Sequence, residues 1–171
     1  MGRQRSTSDR GRGPGIAESA NVRAGADGSP PAPGLRARIA GAGPPLVLDG
    51  ATGTELERAG LPTGLPLWST HALLEAPECV LAIHRAHLAA GAEIVTANSF
   101  RTQRRTLARA GLGEADVRLT RLAVGLARAA IAPQRVDAGP RADGRATGAW
   151  VAGSLPPLED CYRPDRVPDD G

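Results

Sequence analysis

From Pro44 onward, apolar residues gather in short unbroken runs that alternate with stretches where they recur every three or four positions. Leu46-Val47-Leu48 is a run of strand length, short enough to be fully buried. Thr52 to Ala59 predicts a helix, with Gly60 as its stop. Residues 61–70, punctuated by Pro62, Gly64 and Pro66, predict a loop that carries Trp68. Pro77 suits the first position of a helix running to about Ala90, closed by Gly91. Val80, Leu81, Ile83, His84, His87 and Leu88 spread over a broad face of that helix. Glu93-Ile94-Val95-Thr96-Ala97 follows as a second strand, and Asn98-Ser99 as a polar turn. A short helix over Gln103–Ala110 ends at Gly111. A longer one, Glu114–Ile131, places Leu119, Leu122, Ala123, Leu126 and Ala130 at helical spacing. Residues 133–148 form a polar loop, Trp150-Val151-Ala152-Gly153 a third strand, and 155–171 an irregular Pro- and Asp-rich stretch.

Strand, helix, strand, helix, strand, with apolar strands and short turns, predicts parallel pairing in an α/β fold. Each strand ends in small or polar residues: Asp49-Gly50, Asn98-Ser99 and Gly153-Ser154. Sites in parallel α/β folds lie at the carboxyl ends of strands, so these three ends predict a binding rim.

Residues 1–43 break the pattern. They are rich in Gly, Pro, Ser and Arg and nearly free of large apolar side chains, so they cannot bury enough surface to offset the entropy of ordering. They are expected to be a disordered extension, with 44–171 as the folded domain. Residues 1–40 hold seven arginines against three acids, whereas the remainder holds 14 against 15. The folded part is thus nearly neutral, which argues against nucleic acid as a partner. The absence of lysine among 21 basic residues, beside 22 Gly and 15 Pro, reads as codon bias. No window approaches the ~18 apolar residues of a membrane span, and the basic N-terminus lacks the apolar core of a secretory signal. Cys79 and Cys161 stand far apart and form no paired motif, consistent with reduced thiols. A cytoplasmic chain without membrane contact is expected.

The chemistry concentrates at Leu46 to Leu56, where a strand delivers a carboxylate to a glycine-containing turn at a helix start. Free N–H groups there favour an anion beside the acid. Asp49 with Gly50, Ala51, Thr52 and Gly53 could therefore grip both ends of an amino acid; taken alone, Asp49 is a turn or capping residue. Asn98 and Ser99 line the rim or serve ordinary turn chemistry. Thr54, Glu55 and Glu57 suit a helix start without further role. Trp68 reads as a loop anchor more than a pocket wall, and Tyr162 as either surface or pocket. His84 and His87, three apart on a broad apolar face, read as packing and surface residues ahead of a metal pair.

Taken in order, Leu46–Leu56, Pro66-Leu67-Trp68-Ser69, His84–Leu88 with Gly91–Phe100, and Val151–Pro157 resemble the successive motifs of the homocysteine S-methyltransferases. Their homocysteine-binding domain is shared with cobalamin-dependent methionine synthase and betaine–homocysteine methyltransferase. The resemblance covers about 44–168. It implies a partial (βα)8 TIM barrel, its first three strands with their helices, and transfer of a methyl group to homocysteine or a similar thiol amino acid. It implies zinc for the complete domain, because a coordinating metal deprotonates the thiol. Asp49 would pair with the substrate ammonium, and the backbone around Ala51–Gly53 would receive the carboxylate. The methyl donor it implies is a sulfonium-type or other activated methyl compound, which the sequence does not name. The family's zinc thiolates lie late in the barrel, and neither Cys79 nor Cys161 matches one. A whole barrel takes about 250 residues, so this chain alone is expected to be truncated, without zinc and without catalytic residues of its own. The alternative is a remnant or amino-acid-binding module without methyl transfer.

Overall fold

The structure, a computed structural model, describes residues 34–132 and 148–157. Its helices are α1 (Leu35–Ala40), α2 (Thr52–Arg58), α3 (His71–Glu75), α4 (Pro77–Ala89), α5 (Arg104–Ala108) and α6 (Asp116–Ile131), and its strands are β1 (Ile94–Thr96) and β2 (Trp150–Ala152). Single 3-10 turns at Trp68–Thr70 and Gly113–Ala115 lead into α3 and α6.

β1 and β2 pair in parallel, with Ile94, Val95 and Thr96 opposite Trp150, Val151 and Ala152. On the other side of β1, residues 46–48 run parallel to it through a bridge between Leu48 and Ile94. The Val47 carbonyl accepts from the Glu93 and Ile94 N–H groups at 2.8 and 3.2 Å, and the Asp49 N–H donates to the Ile94 carbonyl at 3.0 Å. The expected three parallel segments therefore lie side by side with β1 in the middle. What the described residues form is a two-stranded sheet extended by one bridge, not three full strands. The first segment fails to lengthen because, among the described residues, nothing covers its far side: Leu48 is 59% exposed and Val47 36%. A strand without a partner on its outer edge or an apolar layer on its face gains little from regular geometry.

Helix α4 starts at Pro77, whose missing N–H costs nothing in the first turn. Just beyond its end Gly91 sits at φ +106°, a value that a side chain disfavours. Helix α6 buries Leu119, Ala123, Ala127 and Ala130 on one stripe, and the small residues let it approach α4 closely. One core cluster joins Leu56, Leu73, Val80, Ile83, Leu107, Leu119 and Ala123. A second joins Leu88 to Val95, Ala97, Ala127, Ala130, Ile131 and Ala149 beneath the strands. With so few aromatic residues, the core is made of aliphatic side chains, as the composition requires.

Two elements depart from expectation. Helix α1 lies inside the stretch predicted to be disordered; it buries no side chain. A helix of six residues has no stability of its own in water. Arg38 ties it down, donating to the Pro44 carbonyl and reaching Glu93 at 3.8 Å. The loop predicted to end at residue 70 tightens into the 3-10 turn and α3, because Leu67, Ala72 and Leu73 have core to bury against. The expected polar loop 133–148 lies almost wholly outside the described residues, as do most of 1–43 and residues 158–171.

Candidate functional site

Asp49 follows directly after the 46–48 segment, and its side chain crosses to the carboxyl end of β1. Oδ2 accepts from the Thr96 N–H at 2.7 Å, and Oδ1 accepts from the Thr96 hydroxyl at 2.7 Å. Both distances are in the range of charge-assisted hydrogen bonds. One residue on the neighbouring strand thus fixes the plane and the rotamer of the carboxylate. Each oxygen keeps acceptor capacity, since an ionised carboxylate has about four lone-pair sites. Asp49 is half-buried, with its neighbour Gly50 exposed.

The backbone next passes through Gly50 and Ala51 into α2. A β-carbon on Gly50 would lie 3.1 Å from His87 Nε2, so the glycine gives the imidazole its room. Ala51 caps α2 without a side-chain acceptor, which leaves the first-turn N–H groups at Thr52 and Gly53 without a capping bond. Gly53 faces the Trp68 indole, whose Nε1 would lie 3.5 Å from a β-carbon there. Trp68 itself holds φ +46°, unusual for a large side chain. The indole thus lies against Gly53 at the start of α2.

Asn98 and Ser99 spend their polar atoms on holding the rim together. The Ser69 hydroxyl donates to Asn98 Oδ1 at 2.7 Å, and Asn98 Nδ2 donates to the Ser69 carbonyl at 2.9 Å. The Ser99 hydroxyl donates to the Ser154 carbonyl at 2.9 Å and accepts from the Ser154 N–H at 3.1 Å. These two latches fasten the turn after β1 to the Trp68 turn on one side and to the end of β2 on the other. The three strand ends named from sequence therefore meet in one place.

The sequence reading undervalued two features. His84 is fully buried, and neither ring nitrogen has a hydrogen-bond partner; His87 Nδ1 is in the same condition. Burial pushes the His84 pKa down, Asp49 pulls it up, and His87 lowers it again, so the neutral ring is favoured. Core placement was anticipated, but the convergence of both rings on Asp49-Gly50 was not; the three-residue spacing was the only hint. The second is Arg101, which is buried just past Ser99. Nothing in the sequence separates it from the other arginines.

Among the described residues, no group of three His, Cys, Asp or Glu side chains is placed to hold a metal ion. Cys79 is a free, half-buried thiol on α4 that packs against the first core cluster. Cys161 and Tyr162 lie outside the described residues. No described helix is long and apolar enough to cross a membrane.

A family model described as homocysteine S-methyltransferase matches residues 46–170. Homocysteine S-methyltransferase YbgG of Bacillus subtilis is 41% identical over 85 residues, 49% of this chain and 27% of that protein. The homocysteine S-methyltransferase of Escherichia coli is 38% identical over 71 residues, 42% of this chain and 23% of that protein. Selenocysteine Se-methyltransferase of Brassica oleracea is 41% identical over 54 residues, 32% of this chain and 16% of that protein. Among solved structures, the metallated form of the homocysteine methyltransferase MmuM from Escherichia coli superposes with a TM-score of 0.61 at 34% identity. That match covers 72% of this chain and 41% of the MmuM chain. The chain thus spans between about a sixth and about a quarter of these curated relatives and two-fifths of the solved one.

Proposed function

The chain belongs to the homocysteine S-methyltransferase family, and on that premise we propose that its strand-end rim binds the amino-acid portion of homocysteine, or of a similar thiol or selenol amino acid, for methyl transfer. The observation that carries the reading is the carboxylate of Asp49, held by Thr96 at 2.7 Å through each oxygen and presented at the strand ends.

The roles follow from the geometry. Asp49 receives the substrate ammonium on the lone pairs that Thr96 leaves free. The uncapped first turn of α2, at Ala51, Thr52 and Gly53, receives the carboxylate through backbone N–H groups. Gly50 keeps the turn close to His87, and the Trp68 indole shields one side from water. Asn98 and Ser99 hold the turn after β1 in register with its neighbours. With both ends of the amino acid fixed, its side-chain sulfur is confined to a small volume, which is what in-line attack on a methyl group requires.

Zinc, which the family resemblance implies, finds no donor set among the described residues. Donors for it would lie outside the described residues, and the metal would there supply the thiolate. The second reading is a binding module that keeps the rim and transfers no methyl group.

Isothermal titration with L-homocysteine under reducing conditions tests the shared core of both readings. Asp49→Asn keeps the shape and removes the charge, so affinity is expected to fall by at least an order of magnitude; unchanged affinity sinks the assignment. Metal analysis with an assay of methionine formation separates the two readings: bound zinc with turnover supports the enzyme, and binding without either supports the module.

A further inference from the structure

Trp68 sits at φ +46°, a left-handed backbone that a large side chain adopts only where its surroundings impose it. Two fastenings impose it here, one on each side. Ahead of Trp68, its N–H donates to the Gly64 carbonyl at 2.7 Å. Behind it, Asn98 grips Ser69 twice: Oδ1 accepts from the Ser69 hydroxyl at 2.7 Å, and Nδ2 donates to the Ser69 carbonyl at 2.9 Å. Ser69 and Asn98 are only 7% and 6% exposed, so water competes poorly for either bond. A carbonyl can only accept, which fixes the amide with Nδ2 toward it. One side chain from the turn after β1 thereby holds both the main chain and the hydroxyl of the residue next to Trp68.

The backbone sign decides where the indole goes. A Cα–Cβ bond leaves a left-handed residue in a different direction from the one it takes at negative φ. At +46° the ring edge formed by Nε1, Cε2 and Cζ2 comes to 3.5–3.6 Å from a β-carbon built on Gly53. Packing does not account for the arrangement: Trp68 is half-buried and belongs to neither core cluster, whereas its neighbour Leu67 belongs to the first. A strained residue that adds nothing to the core, set against the helix that follows Asp49, points to use at a site.

We infer that Asn98 is a positioning residue, acting through Ser69 to hold the Trp68 indole against Gly53 and, on the amino-acid-binding reading above, to keep that wall of the site closed to water. Asn98 touches no ligand in this role. Releasing its grip lets Trp68 return to negative φ and turns the indole off Gly53. Asp49 keeps its own orientation, because Thr96 holds it through separate bonds.

Trp68 is one of two tryptophans, so in a Trp150→Phe chain the emission and its quenching by acrylamide report on this indole alone. In that background Asn98→Ala is expected to raise quenching about twofold and to weaken L-homocysteine, titrated calorimetrically under reducing conditions, by ~5-fold or more. Thr102→Val is the control: it removes bonds of the same turn to the Ser99 carbonyl and to Thr120, costs stability without touching Ser69, and should leave both readouts unchanged. Trp68→Ala shows whether the effect runs through the indole, since adding Asn98→Ala to it should weaken homocysteine no further. Circular dichroism and Tm are checked on every variant. If Asn98→Ala does not fold, Ser69→Ala, which gives up only the bond to Oδ1, must show the same two changes at smaller size. Unaltered quenching in a folded Asn98→Ala chain, equal changes in Thr102→Val, or an additive loss in the double variant each overturns the inference; with Asp49→Asn still losing homocysteine, the binding reading stands. Absence of homocysteine binding by the unaltered chain overturns the binding reading, and the quenching comparison then decides by itself whether Asn98 sets the indole.

Discussion

Thr96→Val removes one of the two bonds that orient Asp49 and little else. Valine matches threonine in shape and suits a strand, so β1 keeps its pairing with β2. The N–H bond from residue 96 to Oδ2 survives, since it is a backbone bond. The hydroxyl bond to Oδ1 at 2.7 Å is lost. A bond to a charged acceptor contributes about 1.5–3 kcal/mol. Asp49 is half-buried and Oδ1 can recruit water, so the lower end applies, about 1.5 kcal/mol of orientation. If the ammonium depends on that orientation, homocysteine affinity falls roughly tenfold, since about 1.4 kcal/mol is one decade. Folding stability falls by a similar ~1 kcal/mol, because one hydrogen bond is lost without a cavity. Titration calorimetry and urea unfolding read the two effects on the same samples. Equal affinity in Thr96→Val and the unaltered chain, with the stability loss present, would show that Asp49 is braced for the fold and not for a ligand.

Three further outcomes follow from the site. His84 has a folded-state pKa below its ordinary 6.5 because burial disfavours its charge, so below that value the unfolded chain binds a proton that the folded chain refuses. Stability should therefore decline as pH drops through and below about 6.5, and His84→Leu should flatten that slope in urea midpoints measured from pH 7.5 to 5; an unchanged slope refutes the assignment. Gly50→Ala places a β-carbon 3.1 Å from His87 Nε2 and should destabilise by about 1 kcal/mol, with His87→Ala in the same chain recovering most of the loss; no recovery would mean the strain lies in the backbone. Arg38→Met removes the cation beside the buried Glu93 and should cost about 1–3 kcal/mol, a loss that Glu93→Gln in the same chain should reduce.

Much of this protein was legible before any coordinates. Local chain physics determined the helix starts and stops: Pro77 opens α4, and Gly91 past its end adopts a φ that only glycine takes easily. Periodicity determined which face of α6 is buried. The ordered motifs determined the family, because they combine strand ends, turns and helix starts at fixed spacings. Tertiary structure alone decided how the pieces meet. That Thr96 braces Asp49, that Ser99 and Asn98 act as latches, and that Arg101 is buried with its Nε unpartnered all depend on contacts between residues distant in sequence or on solvent exclusion by neighbouring elements. A single arginine or histidine in a sequence carries no mark of its burial. The free edge of residues 46–48 and the docking of α1 through Arg38 and Glu93 belong to the same class: they turn on what lies across a gap in space, and spacing along the chain holds no record of it.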